Sequence, residues 1–131
     1  RSFMSRLVAA VFALSLAAAS WAVEKEPFSN ERFTELQSQG ELILVDVFAT
    51  WCPTCALQQK ILANYAEAHP EVNLHVLVVD FDNDREYVRQ LRAPRQSTLF
   101  LYKGSEQLWF SVAETREEVV FAAINQGAKH R

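Results

Sequence analysis

Cys52 and Cys55 are the only two cysteines in the chain, and they stand three apart in the stretch VDVFATWCPTCALQQKIL, between an apolar run and a helix-like run. Two thiols at that spacing can staple the chain, contribute half of a metal site, or open and close as a dithiol. A staple across so short a loop removes only roughly 2 kcal/mol of unfolded-state entropy when the loop-closure relation is taken to its short limit. A domain of this size finds that much in its core. A zinc site asks for four ligands, yet the chain has no second Cys-x-x-Cys, and His69, His75 and His130 show no ligand spacing. The balance favours a redox dithiol, with the staple and the metal site as the remaining readings. No metal site and no organic cofactor are expected.

Position adds chemistry to spacing. Cys52 falls where the apolar run ELILVDVFAT ends, and Cys55 lies in the first turn of the helix that follows. The first thiol therefore faces a helix N-terminus, where unpaired N–H groups and the positive end of the dipole stabilise a thiolate. Pro53 suits the first helical position, where its missing N–H costs nothing. On this reading an exposed Cys52 attacks and Cys55 resolves. Asp46 is a lone carboxylate in the apolar run. Burial would raise its pKa and let it take a proton from a neighbouring thiol; the alternative is a strand-end aspartate that pairs with Lys60 or caps a turn. Trp51, next to Cys52, either fills the core or forms a rim that contacts partner proteins.

The elements that must hold these residues can be read from hydrophobic period. PFSNERFTELQSQG offers Ser29 or Asn30 as an N-cap, Phe33 and Leu36 on one face and Gly40 as a stop, which predicts a first helix. ELILVDVFAT is rich in Val and Ile without alternation, as in a central strand covered on both faces. From Pro53 to His69 the period is helical, with Leu57, Ile61, Leu62 and Tyr65 on the buried face and Pro70 closing it. VNLHVLVVDFD reads as a second buried strand and NDREYVRQLRA as a short helix. STLFLYKGSEQLWFSVA reads as a hairpin turning at Lys103 and Gly104, and ETREEVVFAAINQG as a last helix with Val119, Val120, Ala123 and Ile124 inward and Gly127 as its stop. The predicted order is helix, strand, helix, strand, helix, strand, strand, helix. That is an α/β class, a mixed central sheet flanked by helices.

With 131 residues, a net charge of -3 and half its residues hydrophobic, the chain suits one domain with a substantial core. Its basic residues are not interleaved with aromatics in a cluster, so no nucleic-acid partner is expected. The N-terminus differs from the rest. Arg6 precedes an apolar stretch from Leu7, and Ser20 and Ala22 flank Trp21, which predicts a secretory signal cleaved after Ala22. Residues 1–3, ahead of Met4, are read as a scar or an upstream start and are left out of the fold. The alternative is an uncleaved membrane anchor, because Leu7 to Val23 is 17 uncharged residues, at the lower edge of the roughly 17 to 25 that span a bilayer. The expected division is a signal over 1–22 and one domain over 23–131, delivered to a periplasmic or otherwise exported compartment where disulfides persist.

VDVFATWCPTC followed by a helix, then VVDFD, then STLFLYKG, resembles the thioredoxin superfamily across residues 28 to 126. The resemblance implies a thioredoxin fold and a thiol:disulfide oxidoreductase, with Trp51, Cys52 and Cys55 at the active-site motif and Asp46 at the buried acid. Pro53 and Thr54 between the cysteines are similar to the exported thioredoxin-like reductases of cytochrome c maturation, although this chain lacks their extra inserted segment. Two departures stand out. The family's cis-proline before the threonine of TLFLY is Ser97 here, with Pro94 three residues too early, and Val78 occupies the place of the lysine that often neighbours the buried acid. The implied substrate-contacting residues are Trp51, Pro53, Thr54, Ser97 and Thr98. A non-proline residue gives no reason to keep a cis bond, so a trans Gln96–Ser97 bond is expected, with a hydroxyl and an N–H presented where a ring would stand. The expected partners are disulfide-containing protein substrates and a membrane thiol electron donor, the protein itself acting as a monomer. A neutral Thr54 favours a reductant; the rivals are a dithiol oxidase and a thioredoxin-fold module that binds peptides or a metal cluster without turnover.

Overall fold

The computed structural model describes residues 24–131; the predicted signal and anchor lie outside them. Five strands and four helices follow one another as β1 (Glu24–Pro27), α1 (Asn30–Ser38), β2 (Leu42–Phe48), α2 (Pro53–Ala68), β3 (Leu74–Asp80), α3 (Arg85–Leu91), β4 (Thr98–Lys103), β5 (Glu106–Val112) and α4 (Glu117–Lys129). They build one mixed sheet in the order β1-β3-β2-β4-β5. The three strands β1, β3 and β2 run parallel, while β4 lies antiparallel to β2 and β5 antiparallel to β4. Among the described residues no helix is long and apolar enough to cross a membrane.

The apolar character of β2 on both faces, Asp46 excepted, follows from having helices on both sides. Leu42 and Leu44 join Ile61, Leu62 and Tyr65 of α2 and Val120 and Ile124 of α4 in one core. Ile43, Val45 and Val47 point the other way, to a second core with Phe28, Leu36 of α1 and Val88 of α3. A third, small cluster holds Ala49, Cys52 and Cys55, with Phe48 and Phe81 packed against it. Ser29 caps α1 by accepting from the Arg32 N–H at 3.1 Å, and Gly40, at φ 71°, takes the left-handed turn after the helix.

Four details differ from the sequence reading. The strand β1 is absent from the predicted order, since Glu24–Pro27 has no apolar pattern; it is held by parallel pairing with β3, Glu24 opposite His75. The hairpin turns one residue later than expected, because Lys103 pairs with Glu106 and leaves Gly104 and Ser105 as the turn. Leu57 is exposed, and Gln58 takes the buried place on α2. Gly127 does not stop α4 but lies inside it, buried where a Cβ would sit 2.9 Å from both Leu42 Cδ1 and Leu101 Cδ2. Gly127→Ala should therefore destabilise the protein by about 1 to 2 kcal/mol, the overpacking outweighing roughly 1 kcal/mol of better helix propensity. A thermal melt showing a gain in Tm would refute that balance.

Candidate active site

Four residues after β2 ends at Phe48, the chain enters α2 at Cys52. Cys52 is the N-cap of α2, in extended backbone, and its Sγ accepts the Cys55 N–H at 3.1 Å. Pro53 follows at the first helical position. Cys52 and Cys55 form a disulfide with Cα atoms 5.2 Å apart. Cys55 is sealed, and Cys52 retains 4% exposure, so an attacking thiol reaches Cys52 alone. The exposed Cys52 of the sequence reading is thus a nearly buried residue with a narrow opening, because Phe48 and Phe81 pack beside it.

Asp46 is fully buried, flanked in the sheet by Val78 of β3 and Leu99 of β4. Its Oδ2 accepts from Gln59 Nε2, and Oδ1 has no partner among the described residues. Lys60, the alternative partner, is exposed. Burial pushes the Asp46 pKa up to about 6, and the Gln59 hydrogen bond and the charge of Lys25 hold it from rising further. Lys25 comes from β1 and donates to Gln59 Oε1. A cation therefore does reach the buried acid, but from the edge strand and through a glutamine.

Trp51 is 57% exposed, which excludes core filling, and its Nε1 donates to Asp82 Oδ2 at 2.8 Å, tying the dithiol loop to the loop after β3. Pro53 is exposed and Thr54 half-buried. Ser97 is fully buried, and the Gln96–Ser97 bond is trans. Its hydroxyl donates to the Gln96 carbonyl and its N–H to Val47 O at 2.7 Å. Neither group is presented outward as expected, because the residue adopts the left-handed region at φ 64° and turns both inward. Thr98 is likewise buried and donates from Oγ1 to Arg95 O at 2.6 Å. Sequence reasoning missed Lys25, Gln58 and Gln59. The one available signal was Gln58, a polar residue in the helical stripe that runs from Cys55 to Tyr65. Among the described residues no group of three or more His, Cys, Asp or Glu side chains could hold a metal.

The arrangement can hold a thiolate at a helix N-terminus beside a second thiol, and the same helix reaches through Gln59 to a buried acid whose pKa burial raises to about 6. Residues 24–126 match the family described as Thioredoxin. The chain is 33% identical over 85 residues to the thiol:disulfide interchange protein DsbE of Haemophilus influenzae, covering 61% of this chain and 45% of that protein, so it spans about half that relative's length. It is 32% identical over 98 residues to the thioredoxin of Chlamydia trachomatis, covering 75% of this chain and 93% of that one. The crystal structure of Trxlp from Edwardsiella tarda EIB202 superposes with a TM-score of 0.71 at 34% identity, covering 77% of this chain and 98% of the other. With the mixed five-stranded sheet and the paired cysteines at the start of α2, these likenesses establish that the chain belongs to the thioredoxin family of thiol:disulfide oxidoreductases.

Proposed function

We propose that the protein is an exported reductant of protein disulfides, working through Cys52-Pro53-Thr54-Cys55. The observation that carries this reading is the N-cap position of Cys52, whose sulfur already accepts the Cys55 N–H. In the reduced protein the Cys52 thiolate attacks a substrate disulfide, forms a mixed disulfide and releases one substrate thiolate. Cys55 then gives its proton to Asp46 and attacks the Cys52 sulfur. The internal disulfide forms, the second substrate sulfur leaves, and two electrons have passed to the substrate. Trp51, Pro53 and Thr54 face the substrate on this reading, and the buried Ser97 and Thr98 act on it only through the path of the loop they shape.

Export rests on the signal pattern before residue 23, and the reducing direction on the neutral Thr54. A reductant in an oxidising compartment must be re-reduced, and a bacterial periplasm has no thiol buffer to do it, so a membrane thiol donor completes the circuit. Cys55→Ser should accumulate mixed disulfides through Cys52, including one with that donor, and Cys52→Ser should accumulate none. The wild-type dithiol should titrate nearer thioredoxin's about -270 mV than the about -120 mV of a strong oxidant. A potential above roughly -160 mV would make the protein an oxidase, on the same scale.

A further inference from the structure

Gln58 occupies a place in α2 that calls for a hydrocarbon. Cys55, Ile61, Leu62 and Tyr65 are buried along the same stripe, and Gln58 is as fully enclosed as they are. Burying an amide there is unfavourable unless its polar atoms find partners, and Oε1 has none among the described residues. The whole return comes through Nε2, which donates to Ser97 O at 3.1 Å and to Glu114 O at 3.1 Å. The two carbonyls belong to different segments, one entering β4 and one leaving β5. Ser97 O also accepts the Ala113 N–H at 2.9 Å, which ties the segments to each other. Each segment contains a non-glycine residue in left-handed backbone, Ser97 at φ 64° and Ala113 at φ 59°. Such residues persist only where the surroundings over-determine them.

We propose that Gln58 is a positioning residue that locks the Ser97 and Ala113–Glu114 segments to the helix carrying the dithiol, so that the segment beside the substrate and the cysteines move as one body. The glutamine does for this chain what a rigid ring in the loop would otherwise do: it fixes the approach of the loop without stiffening its backbone. Gln96, immediately before the locked serine, is half-buried and its N–H has no partner among the described residues. An extended peptide pairs with groups of that kind. The inference rests on the reading that Cys52 exchanges disulfides with protein substrates.

Gln58→Leu keeps the volume and removes both donors. For a protein disulfide such as insulin, KM should rise about tenfold with kcat nearly unchanged, the size expected when a docking edge is no longer held in place. Reduction of a small aromatic disulfide, which needs no docking edge, should stay within about twofold of wild type on the same argument. Equal losses on both substrates, or an unchanged KM for insulin, would overturn the proposal. A wild-type protein that reduces neither substrate would instead overturn the functional reading beneath it. If Gln58→Leu does not fold, Gln58→Met carries the same comparison. In the wild type, the Gln58 side-chain amide protons should exchange with solvent far more slowly than those of the exposed Gln126. Exchange at equal rates would show that no lock exists.

Discussion

Ser97→Pro is expected to lower stability by about 3 kcal/mol or more, although it restores the residue type usual in the family. Proline fixes φ near -65°, whereas Ser97 sits at +64°. The substitution also deletes the N–H that donates to Val47 O at 2.7 Å, leaving a carbonyl at the buried end of β2 without its partner. The loop would have to rebuild, and the Gln58 and Ala113 contacts to Ser97 O are made to its present path. Ser97→Gly, which tolerates a positive φ, serves as the control and should fall within about 1 kcal/mol of wild type. Urea denaturation decides the matter. With a denaturant slope of about 1 to 3 kcal/mol/M, the proline variant should lose at least about 1 M in midpoint. A midpoint equal to wild type would mean that the loop switches path at little cost.

Asp46→Asn should make the protein more stable at neutral pH by up to roughly 3 kcal/mol, while slowing the step in which Cys55 attacks. The folded protein holds the Asp46 proton up to about pH 6, against an ordinary carboxylate value of 3.8. The unfolded chain therefore gives up this proton first. Stability is full below the unfolded value, falls as pH rises through the interval up to about 6, and stays reduced above it. Asparagine cannot ionise, and its amide carries an unmet donor much as the neutral carboxyl does, so the advantage should vanish near pH 4. Chemical denaturation of both proteins at acidic and neutral pH checks the sign. A variant less stable than wild type at neutral pH would show that the ionised Asp46 is better solvated than its enclosure implies. In single-turnover reduction, the inflection near pH 6 should disappear from the resolving step of the variant.

What could be read from the sequence was what is local. Runs such as LILVDVF and LHVLVVD announce buried strands because both faces are covered and apolar residues fill most positions, and the cysteines and Asp46 stand at fixed offsets within one strand-to-helix unit. The strand β1 gave no such signal. An edge strand paired only with β3 can be built from charged residues and a proline, since its backbone supplies the bonds. The glutamines were hidden for a different reason. Gln58 reaches residues 39 and 56 positions away, and Lys25 reaches Gln59 across 34, so their roles exist only once β4, β5 and β1 are in place. Leu57 and Gln58 are neighbours on a helix, and the spacing of apolar residues chose the wrong one because the loops that would receive an amide were not visible. The left-handed Ser97 is opaque for the same reason: serine has no preference for that conformation, and the bonds to Val47, Gln58 and Ala113 impose it.

The small cluster of Ala49, Cys52 and Cys55 is distinct from the two large cores and touches the second of them through Phe81. A turnover breaks and remakes a covalent bond, and a close-packed interior transmits even small displacements to its neighbours. Here the atoms that move belong to a satellite at a helix N-cap, and the cross-link spans a sequence separation of 3, so opening it releases almost no chain. The cluster hangs on the scaffold as a latch on a frame, and Phe81, which packs against both this cluster and the second core, is the hinge-side joint between them. Phe48 at the end of β2, Phe81 and the first turn of α2 are the neighbours that meet the displaced sulfurs first.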